Sequence, residues 1–215
     1  MTSYQRPSID ALVFRDADGQ IIEYGDRWSG SPPDDTYSVV THPDRFAPLH
    51  IVADALIAYL RDSCDVEVVD DMGAASDLLH STPGVIRAVR VRAVDPACAA
   101  LTFVFTDYPA VVVHAGVLHD FRYPVCGCDA CDSDWATEAD RLERDVLAVV
   151  AGRYREAVGR GRRPSIGYSL TYPDGASSGL SRARDIPAEG VKAARSALRG
   201  RSAEWAAWPR RTSTS

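Results

Sequence analysis

The sequence predicts an α+β fold in which an antiparallel β-meander packs against two main helices, with a cysteine-rich metal-binding loop at residues 119–134. Three observations lead there. The runs VIRAVRVRAV, ALTFVFTD and AVVVHAG are β-branched or aromatic and are separated only by short turns at Asp95-Pro96 and Tyr108-Pro109, as antiparallel neighbours are. Two long stretches repeat apolar residues at three- and four-residue steps, as amphipathic helices do. Finally, 215 residues with 46% hydrophobic content can bury a substantial core without disulfide stapling. One domain over residues 1–208 is expected.

In chain order, ALVFRDADGQIIEYG places two β-prone runs around DADG and predicts a hairpin over 11–25 that turns at Asp18-Gly19. Asp16-x-Asp18-Gly19 looks like the start of a calcium loop, but no bidentate Glu stands at its twelfth position, so it is read as a turn. WSGSPPDDT (28–36) is a loop by its Gly, Ser and Pro. The first helix is PDRFAPLHIVADALIAYLRDSC, with Phe46, Leu49, Ala53, Leu56 and Leu60 on one face, Asp44 as cap and Pro48 in the first turn. VEVVD (66–70) is a strand, and MGAASDLLHST is a turn or short helix. In the meander, Leu101, Phe103 and Phe105 alternate with Thr102, Val104 and Thr106.

DWATEADRLERDVLAVVAGRYREAV is the second helix, striped by Trp135, Ala139, Leu142, Val146, Val149 and Tyr154 and capped by Ser133 or Asp134. SIGYSLTY is a further strand, ending at Pro173-Asp174-Gly175, and a last helix starts at Pro187 and carries Val191, Ala194 and Leu198. The tail PRRTSTS (209–215) is expected to be disordered.

Charge and compartment narrow the function classes. Residues 1–135 hold 9 Arg against 21 acids, net −12, whereas residues 136–215 are net +6. The late basic surplus, centred on the arginines of 153–163, could face nucleic acid. No aromatic interleaving or reading motif accompanies it, however, and nucleic-acid binding is not expected. MTSYQRPSIDALVFRDADG lacks a basic start and a long apolar run, and no segment approaches the roughly 20 apolar residues that span a bilayer. A cytoplasmic protein without membrane contact is expected.

VCGCDACDSDW, residues 125–135, holds three of the chain's five cysteines. In a reducing compartment such a cluster points to metal or redox chemistry rather than structural disulfides. Cys128-Asp129-Ala130-Cys131 has the two-residue spacing of a zinc knuckle, and Cys126 adds a third sulfur. Gly127 suits a chain that reverses between adjacent ligands. Asp129, Asp132 and Asp134 raise the cost of forming thiolate, a conflict that a divalent cation resolves.

A fourth ligand is expected from His119, seven residues before Cys126 in the connection leaving the last meander strand. His114 reads better as a core or sheet-face histidine, while Asp132, Asp134 or a water are further candidates. Reactive thiols, an iron–sulfur cluster, a strained Cys126–Cys128 disulfide and no ligand at all remain alternatives to zinc. Cys64 and Cys98 read as small buried hydrophobes. A zinc deaminase is excluded, because Gly116 stands where the proton-shuttling glutamate would. No H-E-x-x-H, Gly-x-Ser-x-Gly or phosphate-binding glycine loop occurs. Three thiolates also quench the Lewis acidity of a metal, which favours a closed structural site.

YGDRW, HPDRFAPLHIVADALI, LTFVFTDYPAVVVHAGVLHDF, PVCGCDACD and LERDVLAVVAGRYREAV together resemble domain-of-unknown-function family 6226, a group of actinobacterial proteins, over roughly residues 8 to 170. The resemblance implies a small cytoplasmic single-domain protein and supplies no catalytic residue. The expected role is therefore a binding or interaction module for a protein partner, with a structural zinc on Cys126, Cys128, Cys131 and His119. The alternative is a zinc- or thiol-dependent enzyme.

Overall fold

A five-stranded antiparallel sheet in the order β1 (Val66–Asp70), β2 (Val85–Ala93), β3 (Leu101–Thr106), β4 (Val111–Ala115) and β5 (His119–Tyr123) organises the computed structural model, which describes residues 3–10, 12–159, 165–198 and 204–212. Two helices, α1 (Pro48–Ser63) and α2 (Trp135–Val150), cover one face, so the expected α+β meander is present. Alternation explains the packing: Leu101, Phe103 and Phe105 join Leu49, Leu56, Leu142 and Val149 in the main core. β3 is buried along its whole length because the 3-10 turn Met72–Asp77 closes the other face, where Ala74 meets Ala88, Val104 and Val112.

A second sheet, β6 (Tyr154–Val158), β7 (Ser165–Tyr172) and β8 (Gly175–Arg182), shares that core through Tyr154, Leu170 and Tyr172. Asp145 of α2 links the sheets, its two oxygens accepting Tyr123 Oη and Tyr172 Oη at 2.6 Å each. A last helix, α3 (Ala188–Ala197), starts after Pro187 as expected. Among the described residues no helix is long and apolar enough to cross a membrane.

Several expectations are corrected. HDFRY is not a connection but β5, paired residue by residue with β4 from Ala115–His119 to Val111–Tyr123. The second helix stops at Val150: Gly152 at φ 70 closes a Schellman motif, with Gly152 N donating to Val149 O and Arg153 N to Ala148 O, and YREAV becomes β6. β8 carries almost no buried residue and gave no apolar signal.

Asp44 caps no α-helix, since α1 starts at Pro48, where a missing N–H costs nothing. The N-terminal hairpin keeps its turn, Gly19 at φ 78, but among the described residues it has only one bridge, Arg15–Ile21, with Val13 and Ile21 exposed rather than packed. The C-terminal tail is ordered through residue 212: Asp65 N donates to Pro209 O, Arg211 N donates to Ser63 O, and Trp205 and Trp208 are buried. Residues 213–215, and Arg160, Arg162 and Arg163 of the basic stretch, lie outside the described residues.

Candidate metal centre

The loop between β5 and α2 brings the three clustered sulfurs together. Cys126 Sγ and Cys131 Sγ each lie 3.4 Å from Cys128 Sγ, and all three are within 4.8 Å of one another. A zinc–sulfur bond of about 2.3 Å sets tetrahedral edges of about 3.8 Å, so the trio already has the dimensions of three ligands around one ion. A 3-10 turn, Asp129–Cys131, folds Cys131 back onto Cys128, and Asp132 leaves it in the left-handed conformation at φ 50. These three close cysteines could hold a metal ion. Cys64 and Cys98 are buried elsewhere, as small hydrophobes.

The thiols are unequal. Burial pushes Cys128 up, but hydrogen bonds from the Cys126 thiol, the Cys131 amide and thiol and the Ser38 amide outweigh it and bring Cys128 down to about 7. Cys131 is pushed up to about 12 because it shares hydrogen bonds with Cys126 and Cys128 and would place a further negative charge beside them. The Cys131 and Ser38 amides that donate to Cys128 would stabilise its thiolate and orient it toward a bound ion.

The acids do not crowd the sulfurs. Asp129 is buried against Arg45, its Oδ1 at 3.4 Å from Nη1, and its Oδ2 accepts the Thr41 hydroxyl at 2.8 Å. Asp132 Oδ2 accepts the Arg27 amide at 2.7 Å, and Asp134 caps α2 by accepting Thr137 N at 2.9 Å. Two buried oxygens beside the loop, Tyr108 Oη and Asp132 Oδ1, have no hydrogen-bond partner among the described residues. Gly127 is required for a reason other than backbone angle: its φ is not positive, and a Cβ there would overlap the Tyr108 hydroxyl.

Arg45, 1% exposed, is the centre of the scaffold. Its guanidinium donates to Gly127 O at 2.8 Å, His42 O at 3.1 Å and Ser133 O at 3.3 Å, and lies 4.2 Å over the Tyr24 ring. Trp28 Nε1 donates to Asp129 O at 3.3 Å, and Asp129 N donates to Val39 O at 2.7 Å. Segments 24–28 and 38–46 therefore wrap the cysteine loop. Sequence reasoning missed all of them; the only signal was that YGDRW and HPDRF stood among the stretches carrying the family resemblance.

His119 is not part of the sulfur group. Strand pairing fixes it opposite Ala115, and its ring stacks on Tyr168 with centroids 3.7 Å apart. Burial lowers its pKa to about 4. The unfolded chain, at about 6.5, then binds a proton that the folded chain refuses, so stability is full above pH 6.5 and falls as pH drops toward 4. The loss from this residue is expected to reach about 2 kcal/mol by pH 5. Denaturant midpoints of wild type and His119→Gln across pH 7 to 5 check it, and parallel pH profiles would refute it.

No curated protein and no solved structure matches this chain. The model of a family of unknown function, DUF6226, matches residues 10–212, past β7 and through the docked C-terminal segment, and the chain belongs to that family.

Proposed function

We propose that Cys126, Cys128 and Cys131 bind a structural zinc ion in a cytoplasmic protein that acts as a binding module for a protein partner. The observation that carries this reading is the convergence of three sulfurs within 4.8 Å on a loop whose Asp129 and Asp134 carboxylates are engaged away from them. Three thiolates suit zinc in charge and softness, and they leave a bound ion with little Lewis acidity. With His119 stacked elsewhere and no described carboxylate in the sulfur group, the fourth ligand is a water or a donor from the partner. Support for a partner comes from the apolar rim of the loop, where Tyr37, Val39, Val40 and Val125 are exposed.

Protein purified without added metal is expected to carry one zinc per chain. At free zinc a hundredfold above Kd, linkage stabilises the fold by about 2.7 kcal/mol, which chelation removes as a fall in Tm. Cys128→Ser should lose both the zinc and the shift, and metal-free protein indifferent to chelator overturns the reading.

The exposure of Cys126 and Cys131 and the lowered Cys128 thiol favour a second reading, a thiol-dependent enzyme. Alkylation separates the two. A structural site protects the thiols until zinc is withdrawn, whereas a reactive thiol is modified rapidly in protein as purified.

A further inference from the structure

The outer face of the five-stranded sheet carries a row of polar side chains that the cysteine centre does not use. Register pairs Arg90 with Thr102, Thr102 with His114 and His114 with Asp120, so four adjacent strands contribute one group each. Asp77 lies over one end. Its two oxygens accept Arg90 Nε at 2.6 Å and Nη2 at 2.7 Å, and Oδ2 also accepts the Thr102 hydroxyl at 2.6 Å. At the other end His114 Nδ1 is 2.7 Å from Asp120 Oδ1, while Asp120 Oδ2 accepts the Leu79 amide at 2.9 Å. An ionised carboxylate only accepts, so Nδ1 carries a hydrogen toward Asp120, and Nε2 makes no hydrogen bond among the described residues.

This row borders an open cavity of about 610 Å³. His114 forms part of the wall, is 6% exposed, and has no partner for Nε2 among the described residues. Leu78, Leu79 and Val117 supply apolar wall, and Pro187 and Gly190 bring in the start of α3, whose first turn has no side-chain cap. Arg92 also lines the cavity, held among the described residues by an exposed contact of 3.8 Å to Glu67.

The balance of groups selects the ligand. The one carboxylate in the described wall, Asp77, is already satisfied by donors, whereas the Arg92 guanidinium has only its long exposed contact to Glu67 among the described residues and the amino end of α3 has no side-chain cap. We propose that this cavity binds a small organic anion, its carboxylate or phosphate held by His114 and Arg92 and its apolar body by Leu78, Leu79 and Val117. Asp120 fixes the orientation of the His114 ring through Nδ1, and the volume falls within the roughly 300–1,000 Å³ of small-molecule sites.

Calorimetric titration with phenyl phosphate, benzoate and neutral benzyl alcohol tests this on the full chain. Saturable 1:1 binding of one of the anions, and none of the alcohol, is expected, and which anion wins separates phosphate from carboxylate recognition. Arg92→Gln, at an exposed position, should weaken binding roughly tenfold or more, as should His114→Gln if its circular dichroism is native. Cys128→Ser should leave it unchanged. Failure of both anions to saturate, equal binding of the alcohol, or affinity indifferent to Arg92→Gln overturns the proposal.

Discussion

Arg45→Met is expected to destabilise the protein by about 3–5 kcal/mol, because it removes one partner of a buried ion pair and leaves Asp129 charged and enclosed. The hydrophobic gain from methionine is small against that, and the carbonyls of Gly127, His42 and Ser133 lose their donor at the same time. Arg45→Lys should rescue little. A single ammonium cannot reproduce a planar fork that serves three carbonyls and a carboxylate while lying flat on Tyr24. Adding Asp129→Asn to Arg45→Met should recover part of the loss by removing the orphaned charge. Denaturant midpoints measure all three, and occupancy of the proposed zinc site should fall with them, because the same guanidinium holds the loop that presents the sulfurs. A loss under about 1 kcal/mol for Arg45→Met would mean that the loop keeps its shape without the buried pair.

That residue also marks where the sequence stops being readable. The three sulfurs were legible because a knuckle is a local object: spacing alone decides that Cys128 and Cys131 meet across one 3-10 turn. The meander was legible for a similar reason, since Leu101, Phe103 and Phe105 alternate with residues on the other face. Arg45 stands some eighty positions before the loop, and nothing local distinguishes a buried arginine from one of the surface arginines this chain is rich in.

The misplacement of His119 has a related cause. Asp120 and Arg122 make HDFRY look like a loop, yet Asp120 pairs with His114 and Arg122 is exposed on the sheet, so the strand satisfies its polar residues through cross-strand contact. The overrun of α2 arose because Tyr154 fits the helical stripe by period alone, although Gly152 carried the stop signal. The polar row on the outer face had a visible trace, the alternating arginines of VIRAVRVRAV, but its meaning depends on register with Thr102 and His114, which no single segment encodes.

Glu156→Leu is expected to cost a further 3–5 kcal/mol, by the opposite route of leaving donors unmet. The carboxyl of Glu156, 1% exposed, accepts Leu118 N at 2.7 Å, Tyr154 Oη at 2.9 Å, Trp205 Nε1 at 3.0 Å and Val117 N at 3.1 Å. Burial pushes its pKa up and these four donors pull it down. Through them one side chain of the small sheet ties the turn after β4 to the docked C-terminal segment. Gly116 is part of the same arrangement, since at φ 64 a Cβ would run into the Glu156 carboxylate. Glu156→Gln keeps the shape and one acceptor but turns an NH2 toward N–H donors, so an intermediate loss of about 2 kcal/mol is expected, and the order Leu worse than Gln is the discriminating result. Because Gly116 and Val117 form part of the cavity wall with His114, the Gln variant should also weaken the proposed anion binding while leaving occupancy of the proposed zinc site intact. Equal midpoints for wild type and both variants would show that the turn is held by strand pairing alone, with the buried carboxyl a passenger.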